Sequence, residues 1–266
     1  MIGRAAAALG LAILLASSAM ARPTPTARTD LARSGTLRAG INYGNFILAT
    51  RDAATGESRG VAIDLTRELA QRLGVPVELV AYTSVAAMVD AAKTGAWDIA
   101  FLGIDPAREG DIGFTAAYLE IEATYLVPGG SPLRAVADVD HQGVRVAAPA
   151  RANYELFLSR SLKAAQLVRA PNADAAFELL ATGKVDALAG LAQALIGLVD
   201  KLPGSRMLDG QFMKVPQAVG VPRGRDAGLA YLRAFVEEAK ASGLVGRAID
   251  RIGARGVSVA PRAPAP

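Results

Sequence analysis

W-D-I-A-F-L-G-I-D-P-A-R, residues 97–108, is the stretch on which the fold turns. Residues 97–102 form a short apolar run with β-branched and aromatic members between Gly95 and Gly103, the pattern of a buried strand in an open α/β sheet. Gly103, Ile104, Asp105, Pro106 and Arg108 then lie on the connection leaving the strand's carboxyl end, where such sheets bind small ligands. The guanidinium of Arg108 brings a planar fork of donors suited to a carboxylate. The competing reading makes Arg108 an ordinary surface partner of Glu109 or Asp111.

Toward the N-terminus the elements alternate. Ser84 can cap a helix whose buried stripe is Val85, Met88, Val89 and Ala92 and which closes at Gly95. Residues 77–81 read as a strand. Before them Val61, Leu65, Leu69 and Leu73 recur every four residues, one face of a helix that Gly74 ends and Pro76 keeps from continuing. Residues 37–41 are the first strand. The loop after it, Asn42-Tyr43-Gly44-Asn45-Phe46, presents two amides and two rings, which either contact a ligand or cover the core edge. The order β-α-β-α-β argues for a doubly wound sheet with helices on both faces.

Toward the C-terminus, residues 114–127 form a long β-rich segment, able to cross from one sheet to another, that Pro128-Gly129-Gly130 ends. A second α/β set follows, with strands expected at 144–148, 166–169 and 186–188 and helices at 153–162, 173–181 and 191–202. Thr94-Gly95-Ala96-Trp97-Asp98 in the first set is echoed by Thr182-Gly183-Lys184-Val185-Asp186 in the second, which suggests two similar lobes. Residues 211–223 are a second extended passage. The helix after it, with Leu229, Leu232, Val236 and Ala239 on its apolar face, returns the chain to the first lobe.

The ends are read from composition. Arg4, the apolar residues 5–16 and Ala19-Met20-Ala21 are the three parts of a secretory signal peptide, 1–21, so the mature chain should begin at Arg22 and be exported to the periplasm. Residues 22–33, with Pro23 and Pro25, read as a leader, and the Pro- and Ala-rich residues 257–266 as a disordered tail. With no Cys, disulfides, thiolate metal sites and a cysteine nucleophile are excluded. A formal charge of +4 without Lys/Arg runs interleaved with aromatics gives nucleic-acid binding no support. His141 is the only histidine and sits in a turn-like stretch; no metal, cofactor or catalytic residue is expected, and no catalytic motif is present.

Together the export signal, the two α/β sets, the two crossings and the Arg108 loop make the chain resemble the amino-acid-type periplasmic solute-binding proteins of ABC importers, family 3. The marks are L-R-A-G-I-N-Y at Leu37, G-V-A-I-D-L-T-R-E-L-A at Gly60, G-A-W-D-I-A-F-L-G-I at Gly95, Arg108 with I-G-F-T-A-A-Y after it, T-G-K-V-D-A-L at Thr182 and A-S-G at Ala241. The resemblance implies a two-lobe type II periplasmic-binding-protein fold, each lobe an open sheet flanked by helices, closing over a ligand about two crossover strands. It implies one lobe at 36–117 plus 218–256 and the other at 123–212, with the hinge near Tyr118 to Glu122 and Met213 to Gln217.

The resemblance also implies a site. Arg108 would clamp a ligand carboxylate, with Tyr43, Asn45 or Phe46 from the first loop, Gly103, Ile104 and Asp105 from the strand end, Tyr118 at the crossing, backbone amides near Ala150, Arg151 and Asn153, and Gly190 with Leu191 from the second lobe. The family aspartate that holds a ligand ammonium falls on Leu191, so either another acid substitutes, with Asp105, Glu120 and Glu122 the candidates, or the ligand has no α-amino group there and is a carboxylate with an apolar or neutral polar body. The partners implied are a small carboxylate-bearing solute and an inner-membrane ABC permease, with the protein a monomer. The alternative is an enzyme on the same fold, such as a cyclohexadienyl-dehydratase-like lyase; a detached sensor lobe is a third reading.

Overall fold

The computed structural model describes residues 22–264, so the expected signal peptide and the last two residues of the expected tail lie outside it. The chain opens with helix α1 (Pro25–Leu31), strand β1 (Leu37–Asn42), a small hairpin β2 (Thr50–Arg51) and β3 (Ser58–Arg59), then α2 (Val61–Leu73), β4 (Val77–Tyr82), α3 (Val85–Asp90) and β5 (Ile99–Gly103). The long β6 (Ile112–Val127) leads to β7 (Arg145–Pro149), α4 (Asn153–Ser161), β8 (Gln166–Ala170), α5 (Ala173–Ala181), β9 (Ala187–Leu191), α6 (Ala192–Val199) and β10 (Arg206–Met207). The return strand β11 (Met213–Pro222) and helices α7 (Asp226–Ala241) and α8 (Leu244–Ile252) precede the short β12 (Val257–Val259). No helix among the described residues is long and apolar enough to cross a membrane.

The strands join in the order β4-β1-β5-β11-β6-β9-β7-β8, with β10 and β12 paired to β6. β4, β1 and β5 run parallel on one side, and β9, β7 and β8 run parallel on the other. β11 and β6 are antiparallel to each other and to the strands they meet, so they belong to both α/β sets and carry the chain across twice. The two open sheets are therefore one hydrogen-bonded path. β11 breaks register with β6 between Gln217 and Ala218 and again between Ala218 and Gly220, an irregularity at the crossing itself.

Helices α2, α4, α5 and α7 form where periodicity predicts them, whereas α3 stops at Asp90, short of Gly95, α6 begins only after Leu191, which ends β9, and α8 follows the glycine expected to close the last helix. α2 buries Val61, Leu65, Leu69 and Leu73 and ends at Gly74, whose φ of 64° lets its N–H reach the Ala70 and Gln71 carbonyls. Ser84 accepts a bond from the Ala87 amide at the start of α3, and Asn172 does the same for Ala175 at α5. Trp97 is fully buried, its indole N–H donating to the Met88 carbonyl at 2.9 Å.

Both ends depart from expectation. Residues 22–33 were expected to be an unpacked leader, but they contain α1, capped by Thr24 and buried through Ala27 and Leu31 against α7. Two apolar residues one helical turn apart outweigh the prolines, because Pro25 stands at the first helical position, where it has no hydrogen bond to lose. Residues 257–266 were expected to be disordered, yet β12 adds a strand to β6 and the buried Ala260 donates its amide to the Tyr118 carbonyl. Val257 and Val259 are β-formers with an open edge to pair with, a feature of the fold and not of the local composition.

Candidate functional site

A cavity of about 150 Å³ lies between the two α/β sets, at the carboxyl ends of β1, β4 and β5 on one side and of β7, β8 and β9 on the other. Open α/β sheets place their ligand loops there, because successive connections diverge at that end. The lining comprises Asn42 and Asn45 after β1, Thr83 and Ser84 after β4, Gly103 and Arg108 after β5, Ala150 and Asn153 after β7, Asn172 after β8, and Gly190 with Leu191 in β9. Phe101, Leu102, Met88, Leu188 and Leu195 supply apolar wall, and Gln217 of β11 lies at the floor between the sets.

Arg108 closes a 3-10 turn, Pro106–Arg108, whose first amide Asp105 caps from 2.9 Å. Its Nη1 donates to the Gly103 carbonyl at 2.5 Å and its Nη2 to the Arg151 carbonyl, across the cleft, at 2.7 Å. It is only 3% exposed, and burial pushes its pKa down to about 10. Neither Glu109 nor Asp111 pairs with it; Asp111 faces Lys93 instead. The reading of Arg108 as a surface partner is thereby set aside. Both terminal nitrogens are already engaged, yet each keeps a second N–H.

The second set meets this arginine through the loop before α4. Arg151 has a φ of 61°, unusual for a residue with a side chain, and directs its guanidinium to both carboxylate oxygens of Asp90 at 2.8 Å. Its amide donates to Glu155, which also receives Arg169 at 2.7 Å. Arg160 crosses to Asp105 at 2.8 Å. Asn153 donates from Nδ2 to the Ile104 carbonyl at 2.5 Å, while its Oδ1 has no partner. A Cβ on Gly103 would stand 2.9 Å from the Asn153 side chain, so glycine is what lets the two sets approach here. No side chain caps the N-terminus of α4, leaving amides beside Asn153 and Tyr154 at the cleft wall.

The expected site residues divide. Asn45, Gly103, Arg108, Ala150, Asn153, Gly190 and Leu191 line one cavity. Ile104, Asp105 and Arg151 stand immediately behind it in the contacts that bridge the sets. Three aromatic residues do not face it. Tyr43 turns its hydroxyl to Ser58 at 2.7 Å and packs on the core of the first set. Phe46 is 40% exposed and borders a separate groove with Arg59, Arg67 and Arg251. Tyr118 is fully buried, edge-on to Phe101 at 5.9 Å, so burial raises its phenol pKa and leaves no surface for a solute. Of the substitute acids, Asp105 is spent on Arg160, while Glu120 and Glu122 run along β6 beside β11 and β12 and do not line the cavity.

Thr83, Ser84, Asn172 and Gln217 were not anticipated. The first three had a signal in the sequence: each follows the carboxyl end of a parallel strand, the same rule that singled out Arg108. Gln217 had none, since only the pairing of β11 with β5 brings it opposite Gly103.

Residues 37–253 match the family described as bacterial extracellular solute-binding proteins, family 3. The chain is 21% identical over 208 residues to the ABC transporter glutamine-binding protein GlnH of Bacillus subtilis (strain 168), covering 77% of this chain and 76% of that one. A mutant of ArgBP from T. maritima shares the fold at a TM-score of 0.71 and 20% identity, over 85% of this chain and 98% of that one. An ancestral amino-acid-binding protein, described as a precursor of cyclohexadienyl dehydratase, matches at 0.70 and 23% over 84% and 98%. These structures are alike in fold, the two-lobe architecture of type II periplasmic binding proteins.

Proposed function

The chain belongs to the bacterial extracellular solute-binding proteins, family 3, and from that premise we propose that it captures a small carboxylate-bearing solute in the periplasm and delivers it to the membrane permease of an ABC importer. The observation that carries this reading is Arg108. A buried guanidinium is costly without a counter-charge, and among the described residues no Asp or Glu lies within ion-pair distance of it. A solute carboxylate in the cleft supplies that charge. The uncapped N-terminus of α4 supports the same site, since its amides and dipole favour an anion. In this reading residues 36–117 with 218–256 close against 123–212, and the β6 and β11 crossings act as the hinge. The bonds from Arg108 to Arg151, Asn153 to Ile104, Arg160 to Asp105 and Arg151 to Asp90 are the contacts that closing makes.

The enzyme reading keeps the fold but needs a proton donor or acceptor at the solute. Carboxylates and histidine are lacking from the described lining, where the polar groups are amides, hydroxyls and one guanidinium, which favours binding over chemistry. The test is calorimetry with a solute found by thermal shift. Arg108→Ala should weaken a carboxylate-bearing solute by about 2 to 5 kcal/mol with the fold intact by circular dichroism; unchanged affinity rejects the assignment. Small-angle scattering should show a smaller radius on saturation, and an unchanged radius rejects the hinge.

A further inference from the structure

We propose that the solute presents no ammonium group to the cleft, and that its donor there is neutral, a hydroxyl or an amide N–H set against Asn153. The inference rests on the cleft being a carboxylate site and names the class of carboxylate it takes. Asn153 is 7% exposed. Its Nδ2 donates to the Ile104 carbonyl, which can only accept, so the other end of the amide is the oxygen. That Oδ1 is buried with no partner. A buried acceptor on the wall of a cleft is a place for a solute donor.

A neutral donor fits and an ammonium does not. An ammonium brings three N–H groups and a full charge, which out of water needs an opposite charge or a full set of acceptors, and Asn153 Oδ1 is the one buried side-chain acceptor without a partner on the described lining. The acids nearest the cleft are committed: Asp105 to Arg160, Asp90 to Arg151, and Glu155 to Arg169 and the Arg151 amide. At the end of β9 the cleft meets the buried isobutyl group of Leu191, part of the same core as Val215 and Tyr118. The one charged side chain on the described lining is the cation Arg108, which repels an ammonium. Asparagine, serine, threonine and glutamine side chains line the rest of the polar surface and can meet a neutral group.

The test compares L-amino acids with the 2-hydroxy acids of the same side chains, first by thermal shift on the mature wild-type protein, then by calorimetry on matched pairs. At least one 2-hydroxy acid should bind, about ten-fold or more tighter than its amino counterpart. An amino acid that binds as tightly as its hydroxy counterpart, or more tightly, overturns the inference and leaves the carboxylate reading standing. If neither series raises Tm, the carboxylate reading falls and the inference with it. Leu191→Asp should reverse the preference, gaining about ten-fold or more for the amino acid; a folded variant that still rejects amino acids overturns the role of Leu191.

Discussion

The two α/β sets contain the same ionic device, and it is worth very different amounts in each. Asp98 precedes β5 and receives the Arg38 amide and both arms of its guanidinium at 2.9 to 3.1 Å; Asp186 precedes β9 and receives Arg145 through the same atoms at 2.8 to 3.0 Å. In each case the aspartate amide answers the arginine carbonyl, and a left-handed glycine, Gly95 or Gly183, closes the helix just before. The T-G-x-x-D echo is the sequence of that device. The environments differ. The Asp98 side chain is wholly buried and takes a second partner, Arg225 at 2.8 Å, whereas that of Asp186 is 39% exposed and has Arg145 alone. Arg225 also donates to the Asp30 carbonyl, so in the first set the device ties together α1, β5 and the start of α7. The same local signal is a surface clip in one set and the knot for three distant segments in the other.

This comparison can be broken at either end. Asp98→Ala strands two guanidiniums, one of them buried, and should cost about 3 to 5 kcal/mol, read as a lowered urea midpoint at unchanged slope; a loss no larger than that of Asp186→Ala defeats the comparison. Arg225→Met keeps Arg38 on the aspartate, and should cost less, about 1 to 3 kcal/mol. Its distinctive mark is faster amide exchange in α1, because Asp30 loses one of its two ties there and keeps only the Gly228 amide on its carboxylate; protection of α1 equal to wild type would show that Arg225 does not hold it. Burial depresses the Arg225 guanidinium pKa, and the hydrogen bond and charge of Asp98 act against that shift.

The smallest effect belongs to the exposed pair. Asp186→Ala should cost about 1 kcal/mol or less, and less still in high salt. The Arg145 hydrogen bonds hold the Asp186 carboxyl below the usual carboxylate range. A depressed folded value means that the pair stabilises the protein above the unfolded value, about pH 4, and is lost as pH falls through the folded one. Stability below about pH 4 should therefore fall less steeply in Asp186→Asn than in wild type; parallel curves would remove the pair from the acid response.

Local chemistry carried much of this protein. Four-residue apolar spacing, glycines past helix ends and Ser or Asn caps are read within one turn of chain, so α2, α3, α5 and the parallel strands could be located from sequence. Arg108 was found the same way, because a strand-end loop is a ligand position whatever follows it. The sequence could not say which way Tyr43, Phe46 and Tyr118 turn. An aromatic ring beside a strand end serves a core as well as a cleft, and the choice depends on neighbours such as Ser58 and Phe101 that lie far along the chain.

What the sequence by itself determined is the alternation of elements, the repeated T-G-x-x-D signal and the identity of the cleft's cation, since each rests on residues a few positions apart or on a fixed strand-end geometry; that each aspartate of the signal meets an arginine, 60 residues away in one set and 41 in the other, was decided by the fold. Only the tertiary structure decided that residues 22–33 and 257–260 pack, that Asp98 and not Asp186 is buried with a second arginine, and that Arg108 spans to the Arg151 carbonyl. Burial and pairing are properties of surfaces brought together from distant parts of the chain, and their energies have no local signature to read.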